Sequence, residues 1–305
     1  MKKLRLKRGY LSLMLALPIF LSCSSMMDEI ELPYMPPPVV VHAYLYPDMD
    51  EIRLDLRYAA NIGSNTGNPY GDPVENAYIM IVSEIGDTIQ LNYSHGRRLY
   101  TGNPETSQIK AGRKYFLRIN HNDFESIEAS TIVPGIHNSF YPVFIDSVIY
   151  SYRREFFIDC YINNKPGSIN FYQLFGDAEG VFDCYTEDGL QTESFSNSLF
   201  GYSPIINTEN SGDIIQSGKF SIPIRTAPDT CFYYPNFINL KLYSFDFHSY
   251  SYLLSIDEFL DASDNPFLEP QNIYTNIING YGIFGAYSLS EKSFDWKTLI
   301  NAQKE

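Results

Sequence analysis

The chain has 305 residues, and its 36 acidic against 22 basic side chains give a formal charge of −14. That sign repels phosphate backbones and excludes nucleic acid as an expected partner. Aromatic residues are 15% of the chain, as 25 Tyr and 21 Phe against one Trp, a composition suited to strands and to one or two β-rich cores.

The first segment reads as a leader. Lys2, Lys3, Arg5, Lys7 and Arg8 form a basic region, followed by the apolar run YLSLMLALPIFLS, residues 10–22. Such a run suits a secretory signal and falls short of the ~20 residues that span a bilayer. FLSC (20–23) then resembles a bacterial lipobox, with Phe20 where Leu is usual. Cys23 is therefore the candidate lipidation residue, with residues 1–22 removed as signal peptide; the alternative is an ordinary cleaved signal and a chance Cys. Each buried acyl methylene contributes about 0.8 kcal/mol, so several chains on one Cys make a durable anchor. The expectation is a protein anchored to a membrane without crossing it.

Residues 23–38 read as a tether. SSMMDEIE places Asp28, Glu29 and Glu31 just after the Cys, and YMPPP (34–38) stiffens the chain toward polyproline II. Acids at this place resemble the surface-export signal of Bacteroidota lipoproteins; a solvated spacer would use the same residues. Without residues 1–22 the chain keeps 17 basic and 36 acidic residues, a formal charge of −19. That also argues against an electrostatic grip on anionic lipid.

From residue 39 the pattern is β. EIRLDLRY (51–58) alternates strictly, with Ile52, Leu54, Leu56 and Tyr58 on one face. Further strand-length runs are 39–46, 76–82, 113–119, 155–162, 169–175, 219–224 and 239–245, separated by turn signals such as NPYGDP, EIGD and NKPGS. The fold class expected is mainly β: an Ig-like or transthyretin-like sandwich over 39–134, then a larger antiparallel β domain over 140–290, and a tail over 291–305. The polar stretch 196–218 reads as a loop. One helix is expected near 249–263, with Ser249 as a candidate N-cap and Leu253, Ile256, Phe259 and Leu260 on its apolar face.

Chemistry-bearing motifs are sparse. GYGIFG (280–285) satisfies G-x-G-x-x-G, but no helical period follows Gly285 and no acid sits about 20 residues on with room for a second βαβ unit. A glycine-shaped hairpin or bulged strand is the better reading. His42, His95, His121, His137 and His248 are scattered, without metal-ligand spacing. GYSPI (201–205) lacks the final glycine of a hydrolase elbow. DMDE (48–51) and EDG (187–189) lack the EF-hand pattern. No pair of carboxylates stands out for glycoside hydrolysis. The expectation is no catalytic residues, no cofactor and no metal. Cys160, Cys184 and Cys231 form an odd set, in which the repeated DCY context makes a Cys160–Cys184 bridge conceivable and leaves at least one thiol free. FYYPNF (232–237) and FHSYSY (247–252) concentrate rings, either as a binding platform for a partner or sugar or as core and rim.

NPFLEPQNIYTNIINGYGIFGAYS (265–288), preceded by YSYLLSIDEFL, resembles the closing signature of domain-of-unknown-function family 4249. Asn265, Pro266, Phe267, Pro270, Asn276, Ile277, Gly280, Gly282, Phe284 and Gly285 carry the match, and PVENAYI (73–79) and GRKYFLRI extend it more loosely. Three cysteines beyond Cys23 and the low Trp content depart from it. The resemblance implies a Bacteroidota outer-membrane lipoprotein facing the cell exterior and accessory to a TonB-dependent transporter, with a ligand of unspecified chemistry. A structural or adhesive surface lipoprotein is the alternative, and a surface hydrolase the third reading.

Overall fold

The structure, a computed structural model, describes residues 37–301 apart from 61–70, 106–107, 151–152, 165–168, 187–188, 199, 203, 210, 226–230, 264–268 and 270. Seven strands come first: β1 (Val39–Leu45), β2 (Ile52–Tyr58), β3 (Tyr78–Ser83), β4 (Thr88–Ser94), β5 (Leu99–Gly102), β6 (Lys114–Asn120) and β7 (Ile127–Ile132). They are followed by β8 (Phe140–Tyr150), β9 (Arg153–Asn163), β10 (Phe171–Thr186), β11 (Gly189–Ser198), β12 (Phe200–Tyr202), β13 (Ile206–Asn207), β14 (Ile214–Arg225) and β15 (Cys231–Phe245). Helix α1 (Phe247–Ser263), strand β16 (Tyr281–Asp295) and helix α2 (Trp296–Asn301) close the chain.

Among the described residues, one large sheet runs in the order β11-β10-β15-β16-β1-β2-β5-β4-β3-β6-β7, and a smaller one in the order β12-β14-β9-β8. The last strand lies in the middle of the large sheet. β16 runs parallel to β1, with His42 opposite Ile283, and antiparallel to β15, with Tyr287 opposite Phe245. The far end of the sheet curls back, since Glu128 of β7 bridges Ile278, whose N–H donates to the Glu128 carbonyl at 2.9 Å.

Two buried clusters fill this frame. The first gathers Val41, Leu45, Ile52, Leu54, Ile79, Ile81, Leu117 and Ile119 from the early strands together with Ile277, Phe284 and Ala286 from the C-terminal segment. The second packs Ile158, Ile162 and Phe220 of the small sheet against Leu174, Ile238, Leu240 and Leu242 of the large one, with Trp296. Period-two burial along β1 and β2 follows the alternation read in their sequences. A mainly β fold with sandwich packing and few helices is thus what the strand patterning predicts. Residues Pro38–Glu305 form one unit.

Several local expectations change. The 169–175 and 239–245 runs are only the regular ends of β10 and β15, 16 and 15 residues long. Beyond them Gly176, Gly180 and Pro235 break the alternation, while the backbone pairing continues through a bulge at Glu179/Gly180. The stretch 196–218 contains β12, β13 and the start of β14 rather than a plain loop. Helix α1 begins before Ser249: Asp246 caps it, its carboxylate accepting from the N–H of Ser249 at 2.9 Å and of His248 at 3.3 Å. Phe259 and Leu260, expected on the packed face, are exposed, and the buried helix residues are Ser249 and Ser255. Residues 291–295 complete β16, and Asp295 caps α2 through the Thr298 N–H at 2.8 Å. The tail thereby delivers buried Trp296 to the second core.

The cysteines also sort differently. Cys160 is buried and free, so the Cys160–Cys184 bridge is not formed. Cys184 is disulfide-bonded, and its cross-strand backbone partner on β15 is Cys231. Cys160 lies on β9 in the small sheet and Cys184 on β10 in the large one.

Candidate functional site

The outer face of β16, β1 and β2 carries a concave surface. On β1 the inward residues are Val39, Val41, Ala43 and Leu45, so Val40, His42 and Tyr44 point outward. Tyr46 follows and is half-buried. On β2 the outward residues are Arg53, Asp55 and Arg57, with Asp55 opposite His42 and Arg57 opposite Val40. On β16 the outward positions are Ile283, Gly285, Tyr287 and Leu289, because Phe284 and Ala286 face the first core.

Helix α1 roofs one end of this face. Ile283 is fully buried yet belongs to neither core, as expected for a residue beneath the helix. Gly285 comes so close that an added Cβ would collide with Ser249 Oγ and press on the Tyr44 ring. Ser249 Oγ donates to the Ala286 carbonyl at 3.1 Å and accepts from its N–H at 3.0 Å. Asp246 ties the same junction together, accepting from the Ala286 N–H at 3.1 Å and from Thr131 Oγ1 at 2.8 Å. Farther along the helix, the Tyr252 hydroxyl meets His42 Nε2 at 2.8 Å.

Where the helix roof ends, two clefts open on either side of His42. One, of about 510 Å³, is lined by His42, Tyr44, Tyr46, Glu51, Arg53 and Tyr287 among others. The other, of about 390 Å³, lies over Val40, His42, Asp55, Arg57 and Tyr58. His42 lines both, and the two adjoining clefts are together called the trough. The Tyr46 and Tyr287 rings stack with centroids 5.3 Å apart at 27°. Tyr243 lies 5.6 Å from Tyr287, and Phe175 lies 5.5 Å from Tyr243. Rings from the residue after β1 and from β16, β15 and β10 thus form a row across the sheet, at a spacing near the ~4.8 Å between strands.

The charges beside the rings are paired. Glu51 accepts from Arg53 at 2.7 Å and from Arg97 at 2.6 Å, and these guanidinium bonds, Arg53 first, hold its carboxyl below the ordinary value. Asp55 accepts from Arg57 Nε with both oxygens at 2.8 Å. Arg53 keeps a side chain two-thirds exposed, at 66%. Packing lowers the His42 pKa although the side chain as a whole reaches solvent; Asp55 opposes the shift and Arg57 adds to it. Burial likewise raises the Tyr44, Tyr252 and Tyr287 hydroxyls, so all three stay protonated hydrogen-bond donors across the neutral range.

The residues singled out in the sequence fall elsewhere, His42 excepted. Cys23 lies outside the described residues. His95 and His121 both approach Glu75, His137 packs beside Tyr172, and His248 meets the Tyr274 hydroxyl at 2.7 Å. Among the described residues no three of His, Cys, Asp and Glu gather as metal ligands. Glu51 of DMDE is committed to two arginines. Gly201 and Tyr202 of GYSPI lie in β12, while Ser203 is outside the described residues. Residues 187–188 of EDG are likewise outside them. FHSYSY docks the helix: Tyr250 stacks on Phe171 at 4.2 Å and Tyr252 reaches His42. Sequence reading missed Tyr44, Tyr46, Tyr243 and Tyr287, which stand at outward alternation positions of separate runs; the parity of VVVHAYLY was the available signal.

GYGIFG itself is a packing device. Gly282 has φ of +99°, and a Cβ there would collide with the Val41 carbonyl oxygen. Asn276 exchanges two bonds with Phe284, accepting from its N–H at 3.0 Å and donating to its carbonyl at 2.8 Å, and also donates to the Ser130 carbonyl at 3.1 Å. These positions lie within residues 28–293, which match the profile of a domain of unknown function, DUF4249. The chain belongs to the DUF4249 family. No curated protein matches this DUF4249 chain. Solved structures similar to it include trypsin-activated alpha-2-macroglobulin from Escherichia coli, at 12% identity and a TM-score of 0.24, over 69% of this chain and 14% of that one. A DUF4785 family protein from Legionella pneumophila is similar at 12% identity and a TM-score of 0.19, over 66% of this chain and 51% of that one. The C-terminal globular domain of an oligosaccharyltransferase from Pyrococcus abyssi is similar at 11% identity and a TM-score of 0.15, over 85% and 48%. The DUF4249 chain thus spans about half or less of these proteins. Among its described residues no helix is long and apolar enough to cross a membrane.

Proposed function

We propose that this protein is a non-enzymatic Bacteroidota lipoprotein, anchored to the outer membrane through Cys23 and facing the cell exterior. It captures a ligand for, or docks as an accessory to, a TonB-dependent transporter. The basic and apolar leader ending in FLSC supports the anchor, and the acidic, Pro-rich tether supports display away from the lipid. Ligand capture is carried by one observation: an open trough of ring faces and paired charges on the outer face of β16, β1 and β2. Such concave, ring-lined surfaces with a few convergent polar groups are where small ligands bind.

The test is purification of a tagged protein from outer membranes in mild detergent. The expected result is co-purification of a TonB-dependent transporter, accessibility to protease on intact cells, and loss of membrane retention in Cys23→Ala. Recovery of the protein alone, or protection from protease, would overturn the transporter or surface part of the proposal respectively. Loss of cell-surface filaments in a deletion strain would favour the structural or adhesive alternative.

A further inference from the structure

We infer that the trough around His42, Tyr46 and Tyr287 is a binding site for a neutral saccharide chain; this deepens the ligand-capture reading and rests on it. Four observations converge. First, the half-buried Tyr46 and Tyr287 rings stack on one another and line a cleft of about 510 Å³. The C–H faces of pyranose rings carry slight positive charge and meet the negative face of an aromatic ring favourably.

Second, the polar groups beside the rings suit hydroxyls. Arg53 is two-thirds exposed, with Nε committed to Glu51, so the rest of its planar guanidinium fronts the cleft as a fork of donors for vicinal hydroxyls. Glu51, Asp50 and Tyr44 line the same cleft. Tyr44 stays protonated through burial, so its hydroxyl can both donate and accept.

Third, the charge balance disfavours an anion. Arg53 and Arg97 share Glu51, and Arg57 is gripped by both oxygens of Asp55. With Asp50 the three carboxylates match the three guanidiniums, so an acidic ligand would face Asp50 and Glu51 with no surplus cation to offset them. A neutral ligand faces no such penalty.

Fourth, the site is elongated. The clefts flank His42, and the rings continue through Tyr243 to half-exposed Phe175, with Lys241 and Glu291 paired at 3.3 Å beside them. A linear chain lying along the trough and over successive rings fits better than a single compact molecule.

The probes are maltohexaose, cellohexaose, xylohexaose and mannohexaose, with polygalacturonate and a proline-rich decapeptide as contrasts. They would be titrated calorimetrically into the detergent-solubilised full-length protein. At least one neutral hexasaccharide should bind, and Tyr287→Ala and Tyr46→Ala should each weaken it by about tenfold. Tyr287→Phe should keep affinity within about threefold, because the stacking face remains. Tyr161→Ala, which removes half of the Tyr141–Tyr161 stack on the small sheet, should leave binding unchanged. Circular dichroism melts would establish that each variant is folded, and Arg53→Gln, at an exposed side chain that lines the cleft, should weaken binding severalfold and covers the case in which the alanine variants unfold. The inference is overturned if no neutral hexasaccharide binds at millimolar concentration, if binding survives both alanine changes, or if only polygalacturonate or the peptide binds. A transporter that co-purifies while no hexasaccharide binds overturns the saccharide inference and leaves the transporter reading standing. Saccharide binding without a transporter does the reverse.

Discussion

The hydroxyl of Ser249 stands in the space that a β-carbon at position 285 would occupy, and from there it bonds both ways to the Ala286 backbone. Gly285 is thus fixed by a neighbour 36 positions earlier and not by its own backbone angles. Gly285→Ala should destabilise the protein by about 1–3 kcal/mol in urea unfolding. Ser249→Ala should recover part of that loss in the double variant, since it removes the colliding oxygen. Strict additivity of the two changes would refute the contact as the cause.

Asp246 joins the start of α1 to β16 and β7 while only 8% exposed. Asp246→Ala removes the helix cap, strands the Thr131 hydroxyl and leaves the Ala286 N–H with Ser249 Oγ alone. The loss should exceed the ~2 kcal/mol upper end for a simple cap. Hydrogen exchange should locate the weakened protection at Ala286 and the first turn of α1; a uniform change across the chain would speak against this junction.

His42 carries a pH prediction. Its folded pKa is lowered from 6.5, chiefly by burial against its neighbours. The unfolded chain therefore takes up the proton first as pH falls. The neutral-ring contribution to stability is fully present above pH 6.5 and is lost as pH falls from 6.5 through the lower folded value. Nuclear magnetic resonance should find the ring titrating below 6.5, and lower still in Asp55→Asn, because Asp55 opposes the shift. A midpoint at or above 6.5 would contradict the packing described.

The cysteines should differ sharply in reactivity. Burial pushes the Cys160 thiol far above its ordinary range, while Cys184 is in a disulfide. In the native, unreduced protein neither should react with iodoacetamide at pH 8. Denaturation alone should expose Cys160, and Cys184 should require reductant as well. Peptide mapping of the alkylated chain distinguishes these outcomes.

The single tryptophan reports on the second core. Trp296 meets the Phe156 ring edge-on at 4.9 Å and is 5% exposed. Trp296→Ala should cost about 3–5 kcal/mol, read by circular dichroism. In the native chain, tryptophan emission should shift to the red as the second core opens.

Strand positions were legible where one face is dry and the other wet: β1, β2 and β6 alternate so cleanly that parity alone sorts their residues. The longer β10 and β15 were only partly legible, because Gly176, Gly180 and Pro235 interrupt the period while backbone pairing carries on across it. The trough was hidden for another reason. Tyr46 and Tyr287 are 241 positions apart, and only the parallel pairing of β1 with β16 makes them neighbours. Dense local runs such as FHSYSY drew attention because rings cluster there in sequence, yet those rings dock a helix. Gly282 and Gly285 of GYGIFG serve packing, in a central strand rather than the expected hairpin or bulge, and their partners, the Val41 carbonyl and Ser249 Oγ, could not be seen from the motif.

The insertion of β16 beside β1 also sets the order in which the molecule can be completed. The sandwich begun at residue 39 lacks Phe284, Ala286 and a central strand until almost the whole chain has been synthesised. Its contact order is correspondingly high, so closure waits on a search across more than 230 residues. Until the last strand arrives, the edge of β1 that pairs with β16 has no partner strand and is open to aggregation.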